Sequence, residues 1–159
     1  MREIPIAREG LKLIVPSLVL SVLFLGFRFH LLFLLSFLLF LFFLFFFRNP
    51  QRSPSIKGDY LISPADGKVI EIKNIVEDEF LKQEAKRICI FMSPFDVHVN
   101  RSPCEGNIAT IEHRAGAFAL AFKKGIEKDN ERNYTLIEGD GDKVLLVQIA
   151  GFLARRITS

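Results

Sequence analysis

Two kinds of hydrophobic pattern divide the chain. From Leu13 to Phe27, and again from Leu31 to Phe47, there is no charge, and the second run is almost all Leu and Phe. Neither run has a polar face, so each reads as a helix that is apolar all round. At about 1.5 Å per residue the second spans roughly 25 Å and the first roughly 22 Å, close to the hydrocarbon thickness of a bilayer. Arg28-Phe29-His30 interrupts them. The expectation is an N-terminal transmembrane helical hairpin, with helices at about 13–27 and 29–47 inside an anchor of residues 1–47. One long tilted helix with an interfacial segment is the alternative. A cleaved signal peptide fits less well, because no small-residue cleavage site follows the apolar run.

Past the anchor the pattern changes. Residues 48–58 are polar, carry Pro50 and Pro54, and read as a linker. Short apolar runs then recur between turn residues: 60–62, 68–75, 87–92, 97–99, 107–112, 134–138 and 144–149. Lys68-Val69-Ile70-Glu71-Ile72 shows the period of two that half-buried strands require. Strands at this spacing predict a mainly β domain over 59–159, a compact sandwich or barrel. Residues 115–128 have helical composition and predict one helix or ordered loop. Glu138-Gly139-Asp140-Gly141-Asp142 predicts a hairpin turn.

Composition adds little until the two parts are separated. Eleven of the 17 Phe lie between Phe24 and Phe47. The net charge of +3 does not describe the β domain, which is close to balanced, and no basic stripe with interleaved aromatics suggests nucleic acid. Arg2, Arg8 and Lys12 precede the hairpin, and Arg48, Arg52 and Lys57 follow it. Positive residues on both flanks put both flanks, and the β domain, on the cytoplasmic side of the cell membrane. Cys89 and Cys104 lack CxxC spacing, so neither a disulfide framework nor a metal site is expected.

Candidate chemistry sits in two short motifs, SPADG at 63–67 and SPFDVHVNRSP at 93–103. Asp66 before a glycine is ordinarily a turn residue, and a lone His98 is ordinarily structural. Together they supply a carboxylate and an imidazole, the components of an acid–base pair in which the carboxylate fixes the imidazole tautomer.

With FFFRNPQRSP at 45–54 and NERN at 130–133, these strings resemble the phosphatidylserine decarboxylases, in particular their short membrane-bound form. The resemblance implies lipoyl-like elements in the β domain and a membrane phospholipid as substrate. It also implies a pyruvoyl group, which the family makes from the serine of a Gly-Ser step. The Asp and His assist that self-cleavage. The ketone then takes up the substrate amine as a Schiff base, the electron sink for departing carbon dioxide. Asp66 and His98 match the catalytic positions. Arg132 is a candidate for holding the substrate phosphate, and His113 is a reserve substrate-binding residue. Departures accompany these matches. Arg101 stands where longer members carry a second His, and Gly116-Ala117-Phe118-Ala119-Leu120-Ala121 stands where short members read GKFLNA. No Gly-Ser step occurs in the 159 residues. The expectation is therefore a β domain incomplete at its C-terminus, with no pyruvoyl group formable from this chain alone and a complementing C-terminal chain as partner if the gene is split. Two non-catalytic rivals are a membrane-anchored lipid-binding protein and a lipoyl-like transport adaptor; the adaptor has no use for Asp66 and His98.

Overall fold

The computed structural model describes residues 5–52, 60–119, 129–139, 142–152, 154 and 157–158. They fall into two compact units, Met1–Lys68 with Met92–Pro103 and Val69–Phe91 with Cys104–Ser159. Both sequence motifs therefore belong to the unit that holds the N-terminal helices, apart from the strands.

In the first unit a short 3-10 turn, Arg8–Gly10, leads into α1 (Leu11–Gly26), and α2 follows over His30–Phe46. The turn between them is built by the backbone. The Arg28 N–H bonds the Leu25 carbonyl at 3.1 Å and the Phe29 N–H reaches back to Phe24 at 2.9 Å. This is a Schellman closure, and Arg28 occupies its left-handed position at φ 62°, where glycine is usual. At the other end Ile6 bridges Arg48, the Ala7 N–H donates to the Phe47 carbonyl at 2.9 Å, and the Asn49 N–H donates to Pro5 at 2.7 Å. The two helices thus form a hairpin with both chain ends at one base. Gly10 permits that closure, because a Cβ there would run into the Phe47 ring. The buried positions of α1 are Ile14, Ser17 and Ser21, whose hydroxyls bond the Ile14 and Ser17 carbonyls at 2.9 and 2.8 Å. Most of the Leu and Val side chains face outward, whereas most of the Phe are half-buried.

In the second unit β1 (Lys68–Glu77) pairs with β2 (Gln83–Phe91). The turn 78–82 is too short for a parallel crossover, so the pair is a hairpin. The Glu77 carboxylate accepts the N–H groups of Phe80 and Leu81 at 2.9 and 2.5 Å, and Lys82 takes a left-handed φ of 54° to close the turn. A second sheet has the order β3 (Asn107–Arg114), β4 (Arg132–Glu138), β5 (Lys143–Ile149), antiparallel throughout. Its register opposes Arg114 to Arg132, Glu112 to Tyr134 and His113 to Asn133. Phe80 stacks on Tyr134 with ring centroids 4.9 Å apart, and the Arg114 guanidinium lies 4.7 Å over the Tyr134 ring. Arg114 also pairs with Glu79 and Glu112, which raise its pKa further.

Ahead of β4, Asn130 is fully buried. Its Oδ1 accepts the Ala119 N–H at 3.0 Å, and its Nδ2 donates to the carbonyls of Ala119 at 3.0 Å and Ala150 at 2.8 Å. One amide thus joins the segment after β3 to the segment after β5.

The mainly β expectation holds with two corrections. The described strands form a two-stranded and a three-stranded sheet, with no closed barrel among them. Residues 60–62 and 97–99 are not strands. Their neighbours Pro64, Pro94 and Pro103 donate no ladder hydrogen bond, and Val97 is buried without belonging to a sheet. The linker expected at 48–58 and the helix or loop expected at 115–128 lie largely outside the described residues. Of the latter, Ala117 makes a parallel bridge to Asn130.

Candidate active site

Main-chain bonds lay the two motifs side by side in the first unit. The Ile62 N–H donates to the Pro103 carbonyl at 2.8 Å and the Arg101 N–H donates to Pro64 at 2.9 Å. The Arg101 guanidinium extends the clamp to the chain leaving α2, donating to Asn49 Oδ1 and the Pro50 carbonyl, both at 2.7 Å. This is the position where longer members of the resembled family carry a histidine. Here it does positional work.

The second motif opens with a tight turn. The Asp96 N–H bonds the Ser93 carbonyl at 3.0 Å, which makes Pro94 and Phe95 the two corner residues. The Asp96 carboxylate accepts the Ser93 N–H and hydroxyl, both at 2.7 Å. The hydroxyl bond, then the backbone bond, hold Asp96 below the ordinary aspartate pKa. Val97 is 1% exposed and anchors the segment.

That anchoring sets His98. Its ring stacks on Phe46, in the last turn of α2, with centroids 4.3 Å apart. Its Nδ1 lies 3.0 Å from the Asp96 carbonyl. A carbonyl only accepts, so the proton sits on Nδ1 and Nε2 carries the lone pair. Burial pushes the His98 pKa below its ordinary value; the Asp96 carbonyl and charge oppose the shift without reversing it. At neutral pH the ring is therefore uncharged, in one tautomer, with a basic nitrogen available. That is the state of a general base.

Asp66 is held differently. Its Oδ2 pairs with the Arg52 guanidinium at 2.5 Å, with both side chains partly exposed. Among the described residues the hydrogen bonds join the backbones of the two motifs and leave the Asp66 and His98 side chains with separate partners. The group that orients His98 is the Asp96 carbonyl. A main-chain acceptor two residues upstream leaves no mark in composition, and neither Arg52 nor Phe46 stood out as a partner.

Arg132 and His113 lie in the second unit. Side chains alternate along a strand, and residues opposed across strands share a face. Arg132 therefore shares its face with Arg114, Glu112 and Tyr134, and donates to the Tyr134 hydroxyl at 3.3 Å. His113 is on the other face with Asn133, its Nε2 3.8 Å from the Glu131 carboxylate. The two substrate-binding candidates cannot meet one ligand on one face of this sheet.

Comparison with known families matches residues 39–159 to phosphatidylserine decarboxylase, a range that contains both motifs. The phosphatidylserine decarboxylase proenzyme of Carboxydothermus hydrogenoformans is 49% identical over 158 residues, covering 96% of this chain and 71% of that protein. The proenzyme of Amoebophilus asiaticus is 48% identical over 112 residues, 70% of this chain and 50% of that protein. That of Cytophaga hutchinsonii is 40% identical over 112 residues, 70% of this chain and 51% of that protein. The chain thus spans about half the length of the last two relatives.

Proposed function

The chain belongs to the phosphatidylserine decarboxylase family, and we propose that it provides the membrane anchor and the proton-transfer groups of an enzyme converting phosphatidylserine to phosphatidylethanolamine and carbon dioxide. The observation that carries this reading is the setting of His98: half-buried, its ring stacked on Phe46 and its Nδ1 proton directed to the Asp96 carbonyl, which leaves the Nε2 lone pair available. The non-catalytic rivals give no reason to prepare a base in this way.

A pyruvoyl group, when present, supplies a carbonyl electron sink for the decarboxylation. Among the described residues, His98 is the one set up to serve its formation: Nε2 would take the proton of a serine hydroxyl supplied by a Gly-Ser step and return it to the amide nitrogen released when that oxygen attacks the preceding carbonyl. The Nδ1–H would stay on the Asp96 carbonyl, with the Asp96 charge favouring the protonated ring. Asp66, held by Arg52 in the same unit, is the second catalytic candidate. Arg132 is the headgroup-phosphate candidate, as a planar fork. It stands opposite Arg114, whose charge is offset by Glu79 and Glu112. His113 stays in reserve.

The helical hairpin is the anchor in this reading. Its buried seam holds Ser17 and Ser21 beside Ile14 and Phe46, while the Leu and Val side chains point outward, the reverse of a hairpin built for water. The segment Arg8–Gly26 is long and apolar enough to cross a bilayer, and α2 is a shorter apolar partner. With both ends at one base and basic residues on both flanks, the rest of the chain stays on the cytoplasmic side. Reporter fusions after Lys57 and after Ser159 should both report cytoplasm; an external signal at either overturns this topology.

The catalytic reading is tested by coexpressing the 159 residues with a polypeptide that carries a Gly-Ser step from the remaining part of the Carboxydothermus relative. Self-cleavage is read as a mass change, and activity as carbon dioxide released from phosphatidylserine. Both are expected with the pair and neither with the 159 residues alone. His98→Ala should abolish cleavage. Cleavage that persists in His98→Ala overturns the assignment of the base.

A further inference from the structure

We propose that the turn Ser93–Asp96 is a membrane-docking tip, with Phe95 seated among the headgroups and upper acyl chains of a phospholipid bilayer. The inference rests on the reading of α1 and α2 as a membrane hairpin.

Three observations converge on it. Phe95 is 73% exposed, among the most exposed large apolar side chains of the chain. It sits at the corner of a turn that is closed by the Asp96 N–H and side chain and preset by Pro94, so the ring is displayed on a rigid support. Nothing in the turn's own geometry calls for a large aromatic at that corner. The turn is also fastened to the end of α2. Arg48, the second residue past that helix, donates one guanidinium nitrogen to the Phe45 carbonyl at 2.8 Å and the other to the Phe95 carbonyl at 2.7 Å. The same guanidinium lies 3.9 Å over the Phe45 ring.

The level of the turn follows from that staple. A helix that crosses the hydrocarbon ends at the headgroups, so a turn bonded through one arginine to the Phe45 carbonyl in its last turn lies at the same depth. An exposed aromatic beside a cation is the pairing that a phospholipid interface takes up: the ring enters the boundary layer and the guanidinium meets phosphate. Val97 points inward and His98 rests on Phe46, so the segment that docks also carries the candidate base. Docking would hold His98 at the depth where a lipid headgroup arrives, and the substrate would reach it without leaving the membrane.

The chain contains no Trp, so a single substitution creates a single reporter. The full chain carrying Phe95→Trp is reconstituted into vesicles of phosphatidylethanolamine and phosphatidylglycerol doped with lipids brominated either high in the acyl chains or near their ends. Leu38→Trp, at an outward position within α2, reports the anchor separately. Phe95→Trp should emit blue-shifted from a water-exposed indole and be quenched most by the shallow bromines. Leu38→Trp should be quenched most by the deep ones. If Leu38→Trp is quenched but Phe95→Trp emits as in water and is not, the docking tip is refuted while the anchor stands. If neither is quenched, the anchor reading fails and takes this inference with it. Adding Arg48→Gln to Phe95→Trp should weaken the shallow quenching, and an unchanged signal would show that the staple does not set the depth.

Discussion

Replacing Asn130 by Ala should cost far more than replacing Asn133, although the two are 0% and 1% exposed. The difference lies in their partners. Asn130 satisfies three main-chain groups: the Ala119 N–H, the Ala119 carbonyl and the Ala150 carbonyl, at 3.0, 3.0 and 2.8 Å. Main-chain groups cannot turn away to find another partner, and Ala150 is itself 3% exposed, so its carbonyl would be left dry. At about 1 kcal/mol for each bond near water and about 1–3 kcal/mol for the dry carbonyl, the loss comes to about 3–5 kcal/mol. Asn133 donates instead to Thr135 Oγ1 and Gln148 Oε1 at 3.3 and 3.4 Å, long bonds to side chains that can reorient. Its removal should cost about 1–2 kcal/mol. For a unit of this size each kcal/mol moves the midpoint by about 4–8 °C, so the two variants should separate by at least about 4 °C, and by about 10 °C or more at the middle of these ranges. Thermal unfolding of the full chain in detergent can be followed through the near-ultraviolet tyrosine signal, to which Tyr134, stacked on Phe80, contributes. Asn130→Asp should behave no better than Ala, since it loses both donors and turns a carboxylate toward two carbonyls. Equal midpoints for the Asn130 and Asn133 variants would refute the reasoning and show that burial alone sets the cost.

Other outcomes follow from the same geometry. His98 has its pKa lowered by burial, so below about pH 6.5 the unfolded chain takes up the proton first. The contribution is therefore present above the unfolded pKa and lost as pH falls through the folded value, and His98→Gln should flatten that acid limb of a denaturation-midpoint profile. Gly116→Ala should cost about 1–3 kcal/mol, because the new Cβ would lie 2.5 Å from the Asn130 and Asp129 backbone; a melt indistinguishable from the parent's would count against that crowding. Arg101→Met keeps the aliphatic stem but releases Asn49 and Pro50, and should speed amide exchange at Arg101 and Ile62, whose N–H groups join the two motifs.

Much of the fold was legible because it rests on pattern. Apolar runs without a polar face became α1 and α2 with ends shifted by only a few residues, and period-two runs became β1 to β5. Val97 misled for a physical reason. Burial produces the same apolar alternation whether a backbone ladder or a packed loop supplies it, and only the flanking prolines separate the two cases. The site was legible to the level of its motifs. Asp66 and His98 stand in one unit, yet the partner that orients His98 is a main-chain carbonyl, and every residue type has one. Arg52 looked like one more flanking cation until the fold brought Asp66 to it. The split of Arg132 and His113 between two faces depends on the register of β3 with β4, and a single-residue slip would have reversed it.

The chain leaves the first unit at Lys68 and rejoins it at Met92, so all of β1 and β2 is an excursion between SPADG and the His98 motif. Because that excursion is a hairpin, its two ends come out of neighbouring strands, roughly 5 Å apart. Folding the hairpin thus performs most of the loop closure that would otherwise oppose bringing the two motifs together. The hairpin is expected to form first and hand the motifs to each other; pulse-labelled exchange that protects the Ile62 and Arg101 amides before those of β1 and β2 would refute this order. Extra residues inserted at the 78–82 tip should leave that hand-over intact, whereas deleting one residue from either strand would offset the two motifs by a residue while leaving every side chain of both in place.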